Sequence, residues 1–148
     1  MSVTLVNPPE LARAVGYSHA AVGQGRVVAL AGQIAWDGRG RLVSGDFAAQ
    51  FDQALGNLTI ALRAAGGVPE DLLSLRVYVT DKMRYAAQLR EVGAAYRKHL
   101  GRHFPAMALM QVSDLLEAGA LVEIEGMAVI PTPPAPARRP APRRKTKR

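Results

Sequence analysis

Two short segments of the chain carry charged and polar side chains at a spacing that could support chemistry. Glu123 and Glu125 lie in LVEIEGMAV, and Arg76 and Tyr78 lie in LLSLRVYVT. Because side chains alternate along a strand, each pair should share one face of its strand. A carboxylate in a partly buried cleft could have a raised pKa suited to proton transfer. The alternative is that both glutamates face solvent or join an ion-pair network, which is the common fate of such residues.

Arg76 has two interpretations. It could neutralise the glutamates, or it could grip the carboxylate of a ligand. The first is the leading interpretation, because paired charges are the common fate of a partly buried arginine.

Other reactive residue types give no support for a metal or covalent site. The chain has no cysteine, so disulfides, thiolate zinc sites and a cysteine nucleophile are excluded. His19 has no second histidine or acid at metal-ligand spacing in the sequence, which predicts a structural or surface role for it. The sequence therefore predicts no metal.

A nearly apolar stretch, HFPAMALMQV at residues 103–112, follows the last predicted helix. It predicts either a core strand or the wall of a pocket. Met107, Leu109 and Met110 are most simply packing residues. If a cleft exists here, these side chains would make its wall apolar.

The elements that would position these residues follow from hydrophobic periodicity. YSHAAV and RVVALAGQI, separated by GQG, predict two strands paired as a hairpin. Asp46 stands at the N-cap of a helix that ends at Gly66 and Gly67, and Asp81 precedes a second helix that stops at Gly101. LLSLRVYVT, AMALMQV and LVEIEGMAV predict three more strands, of which the middle one, apolar on both faces, should be covered on both sides.

The order ββαβαββ predicts an α+β fold with one mixed sheet and two helices on one face of it. The other face would carry a mixture of charged and apolar side chains, namely Arg76, Tyr78, Met107, Leu109, Glu123 and Glu125 or their alternates. Such a face is too apolar for open water and too charged for the core of a monomer. It therefore predicts association between copies of the chain.

Bulk composition predicts a single domain in the cytoplasm. A chain of 148 residues is long enough for one real core and too short for two ordinary domains. No apolar run reaches the roughly 18 to 20 residues of a membrane span. The first residues lack the basic and apolar segments of a secretory signal, and the absence of cysteine fits a reducing compartment.

The net charge of +7 is concentrated at the end of the chain. Seven of the 19 Lys and Arg residues are Arg138, Arg139, Arg143, Arg144, Lys145, Lys147 and Arg148, and the other 12 balance the 12 Asp and Glu residues. We therefore divide the chain into a neutral domain at 1–130 and a basic tail at 131–148. The tail's prolines and its clustered like charges predict disorder.

The tail has two interpretations. It could be a solubilising appendage, or it could bind nucleic acid or another polyanion through its charge. No aromatic residue stands among its basic groups to stack on bases, so any such binding should be weak and without sequence preference.

Five segments of the sequence carry a resemblance to a known family. GYSHA, AGQI, RVYVTD, FPAM and ALVEIEGMAV resemble, in order and spacing, the Rid family, also called YjgF or reactive intermediate deaminases. The resemblance implies a chorismate-mutase-like fold and a homotrimer with clefts for a small-molecule ligand between neighbouring subunits. It also implies hydrolysis of 2-imino and enamino acids, made by pyridoxal-phosphate enzymes, to 2-keto acids and ammonia without a cofactor.

The resemblance also implies the site residues. Glu123 matches the glutamate that positions the attacking water, Tyr17 matches a pocket tyrosine, and Gly32 matches a backbone contact. We accordingly predict Glu123 and Tyr17 as catalytic residues, and Gly32, Ile34, Met107, Leu109 and Arg76 as ligand-binding residues. Glu125 keeps its interpretation as an ion-pair partner.

One departure from the family pattern bears on activity. In deaminating relatives the strand after the proline resembles PARS, and its arginine grips the substrate carboxylate with a two-pronged ion pair. Here the segment is PAMA, with Met107 in the arginine's place. A thioether cannot neutralise a carboxylate, so the loss is on the order of several kcal/mol of binding. We predict weak or absent activity on typical 2-imino acids; the alternative is a non-catalytic ligand-sensing or regulatory protein.

Overall fold

The computed structural model describes residues 3–133, which form six strands and three α-helices. The strands are β1 (Val3–Val6), β2 (Ala20–Gly23), β3 (Arg26–Gln33), β4 (Leu72–Val79), β5 (Ala106–Gln111) and β6 (Val122–Ile130). The helices are α1 (Phe47–Ala64), α2 (Lys82–Ala87) and α3 (Leu89–Leu100), and a 3-10 turn at Pro69–Asp71 leads into β4. None of the helices among these residues is long and apolar enough to span a membrane. The predicted tail falls almost entirely outside the described residues.

The main sheet has four strands in the order β3-β6-β4-β5. β6 runs antiparallel to both of its neighbours, and β4 and β5 are parallel. The predicted α+β class and mixed sheet are thereby confirmed. β5 lies at the edge and its residues are half-buried or exposed, so the prediction that it would be covered on both sides is wrong for the single chain.

β2 does not pair with β3, and the predicted hairpin is wrong. β2 instead pairs antiparallel with β1, from Val3 opposite Gly23 to Val6 opposite Ala20. All four residues of β2 are paired with β1, whereas β3 pairs with β6 from its first residue, Arg26 opposite Ile130. Gly25, between the two strands, lies so close to β6 that a Cβ there would overlap the carbonyl oxygen of Ile130. The N-terminal segment thus takes the place beside β2 that was expected for β3.

The first long helix begins as the sequence predicts. The side chain of its N-cap, Asp46, accepts a hydrogen bond from the backbone N–H of Ala49 at 3.0 Å, which satisfies one of the helix's free donors. The predicted second helix is two helices, because Gln88 leaves helical geometry with φ −121° and ψ 29°. Its amide instead bridges to the start of α1, accepting from the N–H of Ala48 at 3.0 Å and donating to Asp46 at 2.8 Å.

Helices α1 and α3 pack together over one face of the main sheet and form the core with it. Asp52 on α1 joins them, with its carboxylate 2.8 Å from Lys98 Nζ and 2.6 Å from His99 Nε2. Burial opposes the ionisation of Asp52, but the hydrogen bonds from Lys98 and His99 outweigh it and hold its pKa below the ordinary value. The predicted helix stop is confirmed at Gly101, which caps α3 with a φ of 61°.

The opposite face of the main sheet carries no helix among residues 3–133, and the strand register decides which side chains lie on it. Arg76 pairs with Ala108 and with Glu125, and Tyr78 pairs with Met110. We call this the open face. Its residues are Arg76, Tyr78, Glu123 and Glu125, with Ala106, Ala108 and Met110 from β5. Ala106, Ala108 and Met110 of β5 thus lie on the open face, where Met107 and Leu109 were expected.

Candidate functional site

A cavity of about 500 Å³ lies between β5 and α3, on the side of the sheet that the helices cover. We call it the helix-side pocket. Apolar and aromatic side chains make most of its wall, among them Leu89, Val92, Tyr96, Phe104, Met107 and Leu109. The rings of Tyr96 and Phe104 are stacked with centroids 5.4 Å apart. Burial raises the pKa of Tyr96, whose hydroxyl donates to the carbonyl oxygen of His103 at 2.9 Å, so this residue serves as a neutral wall.

A second cavity, of about 390 Å³, lies where the N-terminal loop meets β4 and β5. We call it the Tyr17 cleft. Its lining includes Tyr17, Ser74, Arg76, Met107 and Ala108. Met107 lines both this cleft and the helix-side pocket. The residue that replaces the expected arginine therefore stands at the boundary of the two cavities.

Backbone contacts fix the position of Tyr17. The N–H of the neighbouring Ser18 donates to the carbonyl oxygen of Pro105 at 3.1 Å, which ties the loop to the start of β5. The ring of Tyr17 meets His19 edge-on at 5.4 Å. A ring nitrogen of His19 lies 2.7 Å from the carbonyl oxygen of Ala12, so His19 has the structural role that the sequence predicts.

Arg76 is paired with one of the two glutamates on the open face. Its Nη1 lies 3.1 Å from Glu125 Oε1, and the hydroxyl of Tyr78 donates to the same oxygen at 3.1 Å. Burial and the hydrogen bond to Glu125 raise the pKa of Tyr78. Arg76 thus pairs with Glu125, in line with the leading interpretation, through a single contact between partly exposed side chains.

Glu123 is placed differently. It lines a third cavity, of about 210 Å³, together with Gly32, Ile34, Trp36 and Glu117, which we call the Glu123 cleft. A Cβ added to Gly32 would overlap Glu123 Oε1, so the carboxylate lies directly on the glycine backbone. Within residues 3–133, Glu123 makes no hydrogen bond or ion pair. Its charge is therefore available to whatever enters the cleft.

Within a single chain, the predicted site residues line three separate cavities. Tyr17, Arg76 and Met107 meet in the Tyr17 cleft, and Leu109 joins Met107 in the helix-side pocket. Gly32, Ile34 and Glu123 meet in the Glu123 cleft. The two predicted catalytic residues, Tyr17 and Glu123, thus line different cavities of one chain.

Comparison with known proteins decides the family. The family model described as Endoribonuclease L-PSP matches residues 8–130. The chain belongs to this family. The Rid resemblance is thereby confirmed, since proteins of the YjgF and Rid group match the chain in both sequence and structure.

Three relatives show how close the match is. A RutC family protein of Pyrococcus horikoshii is 35% identical over 115 residues, which are 77% of this chain and 87% of that protein. The human 2-iminobutanoate/2-iminopropanoate deaminase is 33% identical over 117 residues, 78% of this chain and 82% of the enzyme. The solved structure of the Rid family protein YyfB from Yersinia pestis superposes with a TM-score of 0.79 at 34% identity and covers 88% of this chain and 100% of that one.

Two arginines that line a cavity of this Rid-family chain were not predicted from its sequence. Arg97 on α3 and Arg102 just beyond it both line the helix-side pocket. Arg97 lies one helical turn after Gly93, which also lines the pocket, so helical spacing puts both on one face, but the sequence alone gives Gly93 no role. Arg102 follows the helix stop at Gly101, where no periodicity indicates its direction.

The contact between Gly32 and Glu123 gives a prediction. The variant Gly32→Ala should fold, because the atom it would displace is the end of a flexible side chain, but the Glu123 carboxylate should move off the glycine backbone. A crystal structure of the variant and its melting temperature check both points. Gly38→Ala is the matched control, since a Cβ there has no neighbour within 4 Å. A variant whose β3 backbone shifts while Glu123 stays in place would contradict the prediction.

Proposed function

We propose that this Rid-family protein binds a small molecule in clefts between subunits and that its inherited reaction is hydrolysis of an imine or enamine. The observation that carries the proposal is the difference between the two glutamates on β6. Glu125 is neutralised by Arg76 at 3.1 Å, whereas Glu123 lies against Gly32 at the wall of a cavity. An unpaired carboxylate in a cleft is suited to proton transfer.

The division of the site residues supports a shared cleft. Tyr17 and Met107 line cavities on the β5 side of the sheet, and Glu123 lines one beside β3. A neighbouring copy could bring its Glu123 cleft against the β5 edge and so complete one site from two chains. The open face favours such packing, because Met110 is 39% exposed there, as is Met127, which pairs with Ser74 on the same face, and because Arg76 and Glu125 pair with each other. We therefore propose a homotrimer, the assembly that the family resemblance implies.

The proposed reaction needs only water and the residues of the cleft. The Glu123 carboxylate accepts a proton from a water molecule as the water oxygen bonds to the imine carbon. That proton passes to the imine nitrogen, which gives a carbinolamine. The proton of the carbinolamine hydroxyl then passes to the same nitrogen by way of the Glu123 carboxylate as the carbonyl forms and the carbon–nitrogen bond breaks, so a keto product and ammonia are released. The Tyr17 hydroxyl would orient the substrate from the neighbouring chain. The reaction balances with water alone as the second reactant. An enamine substrate would first tautomerise to the imine and then follow the same steps.

Met107 sets the expected limit on this chemistry. A two-pronged contact from arginine to a carboxylate is a strong anchor, and Met107 supplies no charge in its place. Arg76, the other cation in the Tyr17 cleft, is held by Glu125. We therefore propose that turnover of small 2-imino acids is weak or absent.

The assembly can be tested on a chain truncated after Pro131. We expect a trimer, because the open face is too apolar to stay in water, and multi-angle light scattering after gel filtration measures its mass. Glu125→Gln is the control. It removes one charge from the open face and keeps the exposed methionines, so it separates the effect of charge on assembly from the effect of apolar surface. A truncated chain that is monomeric at micromolar concentration would exclude the shared cleft.

The chemistry can be tested with a coupled assay for hydrolysis of iminopropanoate, run beside a relative that has the arginine. We expect turnover by this chain near background. Met107→Arg should raise it by about tenfold or more, since a charge-assisted contact is worth roughly 1.5 to 3 kcal/mol. Met107→Leu is the control of similar size without charge, and Glu123→Gln should abolish any gain. Rapid turnover by the unmodified chain would show that Met107 does not limit the reaction.

A second candidate function rests on the charge distribution of the sequence. Seven basic residues lie beyond residue 137, outside the described residues, and the remainder of the chain is neutral. A regulatory protein could sense a ligand in the same clefts and bind a polyanion through this tail at 131–148. Three tails in a trimer would strengthen such binding together.

The tail can be tested by titrating the full chain and the chain truncated after Pro131 against labelled duplex DNA and RNA. We expect weak binding by the full chain only, without sequence preference, that falls steeply as salt rises because it depends on release of counterions. Equal binding by the two forms would place the nucleic-acid site within residues 1–131. Salt-independent binding would contradict the charge mechanism.

A further inference from the structure

The helix-side pocket combines an apolar interior with two unpaired cations, and the proposed reaction uses neither cation. Arg97 and Arg102 both line the pocket and both are exposed. Within residues 3–133, neither makes an ion pair or a hydrogen bond. Two guanidinium groups beside an apolar cavity attract an anion that carries an apolar part.

The position of Gly93 supports an open binding site at these arginines. Gly93 lies in the interior of α3, where glycine costs about 1 kcal/mol relative to alanine. It lines the pocket, and a Cβ there would stand 3.3 Å from Nη1 of Arg97. The absence of a side chain therefore leaves room beside the guanidinium group at the cost of helix stability.

Helix electrostatics account for only part of this arrangement. Arg97 lies in the last turn of α3, where a cation interacts favourably with the helix dipole. Arg102 lies beyond the helix stop at Gly101 and gains less from that interaction. Both nevertheless line one cavity, together with Met107 and Leu109 from β5.

We propose that the helix-side pocket binds a monocarboxylate with a medium-length apolar chain, held by Arg97 and Arg102 at the carboxylate and by Met107, Leu109 and Leu89 along the chain. The inference rests on the proposed function in that Met107, which limits the proposed reaction, lines this pocket as well as the Tyr17 cleft. It places the carboxylate anchor at the C-terminal end of α3 instead of on β5. A cavity of about 500 Å³ has room for an apolar chain of several carbons.

The test uses the full chain and three probes in isothermal titration calorimetry. Octanoate has both the charge and the apolar chain, acetate has the charge alone, and octan-1-ol has the chain alone. We expect octanoate to bind at least about tenfold more tightly than either of the others, because acetate lacks the apolar chain and octan-1-ol lacks the charge. Octanoate binding should weaken as salt rises.

Variants locate the binding. Arg97→Gln and Arg102→Gln should each weaken octanoate binding about three- to tenfold, the range of an exposed charge-assisted contact, and leave octan-1-ol unchanged. Arg90→Gln is the matched control, because Arg90 is an exposed arginine of the same helix that is not among the residues lining the pocket. Equal binding of octanoate by all four proteins would overturn the proposal, as would octanoate binding no tighter than acetate.

The proposal can fail separately from the proposed function. Hydrolysis of an imine by a chain that does not bind octanoate would overturn the pocket assignment and leave the reaction standing. Arginine-dependent octanoate binding by a chain that hydrolyses no imine even as Met107→Arg would support the pocket and exclude the reaction. Light scattering on both arginine variants completes the test: loss of the assembled mass in both would show that the arginines hold a subunit contact, and would overturn the ligand assignment.

Discussion

The register of β5 against β4 decides which side chains of the candidate site face the helices and which face the open side of the sheet. Arg76 stands opposite Ala108, and Leu75 stands opposite Met107. Side chains of paired residues lie on one face, so Met107 shares the helix-covered face of Leu75, and Ala108 shares the open face with Arg76. A shift of β5 by one residue would turn Met107 to the open face and remove it from the helix-side pocket. The pair of Arg76 and Glu125 depends instead on the register of β4 against β6.

The two glutamates on β6 show how local neighbours separate residues of equal chemistry. Glu123 and Glu125 lie on the same face, two residues apart, yet they stand opposite different residues of β4. Glu125 stands opposite Arg76 and is neutralised, while Glu123 stands opposite Tyr78 and lies against Gly32. A side chain at Gly32 would occupy the place of the carboxylate. A missing side chain on β3 and a cation on β4 therefore give one glutamate an open cleft and the other a partner.

Much of the fold could be predicted from local patterns, because those patterns act within a few residues. Asp46 caps α1 through its own side chain, and alternation along β6 predicts its buried and open faces correctly. The wrong predictions concern contacts between distant segments. The partner of β2 is β1, and the break at Gln88 coincides with an amide bridge to the start of α1. Neither contact can be read from the residues of GQG or from the spacing of the helical stripe.

The candidate site was likewise predictable only in part from the sequence. The family resemblance indicated which residue types matter, and the register then placed them in three cavities that no alternation pattern could separate. The arginines beside the pocket were missed because an exposed arginine near a helix end has an ordinary explanation in the helix dipole.

A cation on α3 also differs physically from one on β5. An arginine on the strand would be oriented by its packed neighbours, whereas Arg97 and Arg102 are exposed and lose side-chain entropy when they hold a ligand. Such an anchor is weaker and less selective in geometry, and it is screened by salt. The apolar wall at Met107 and Leu109 must then supply more of the affinity, which favours ligands with a longer apolar part over the smallest carboxylates.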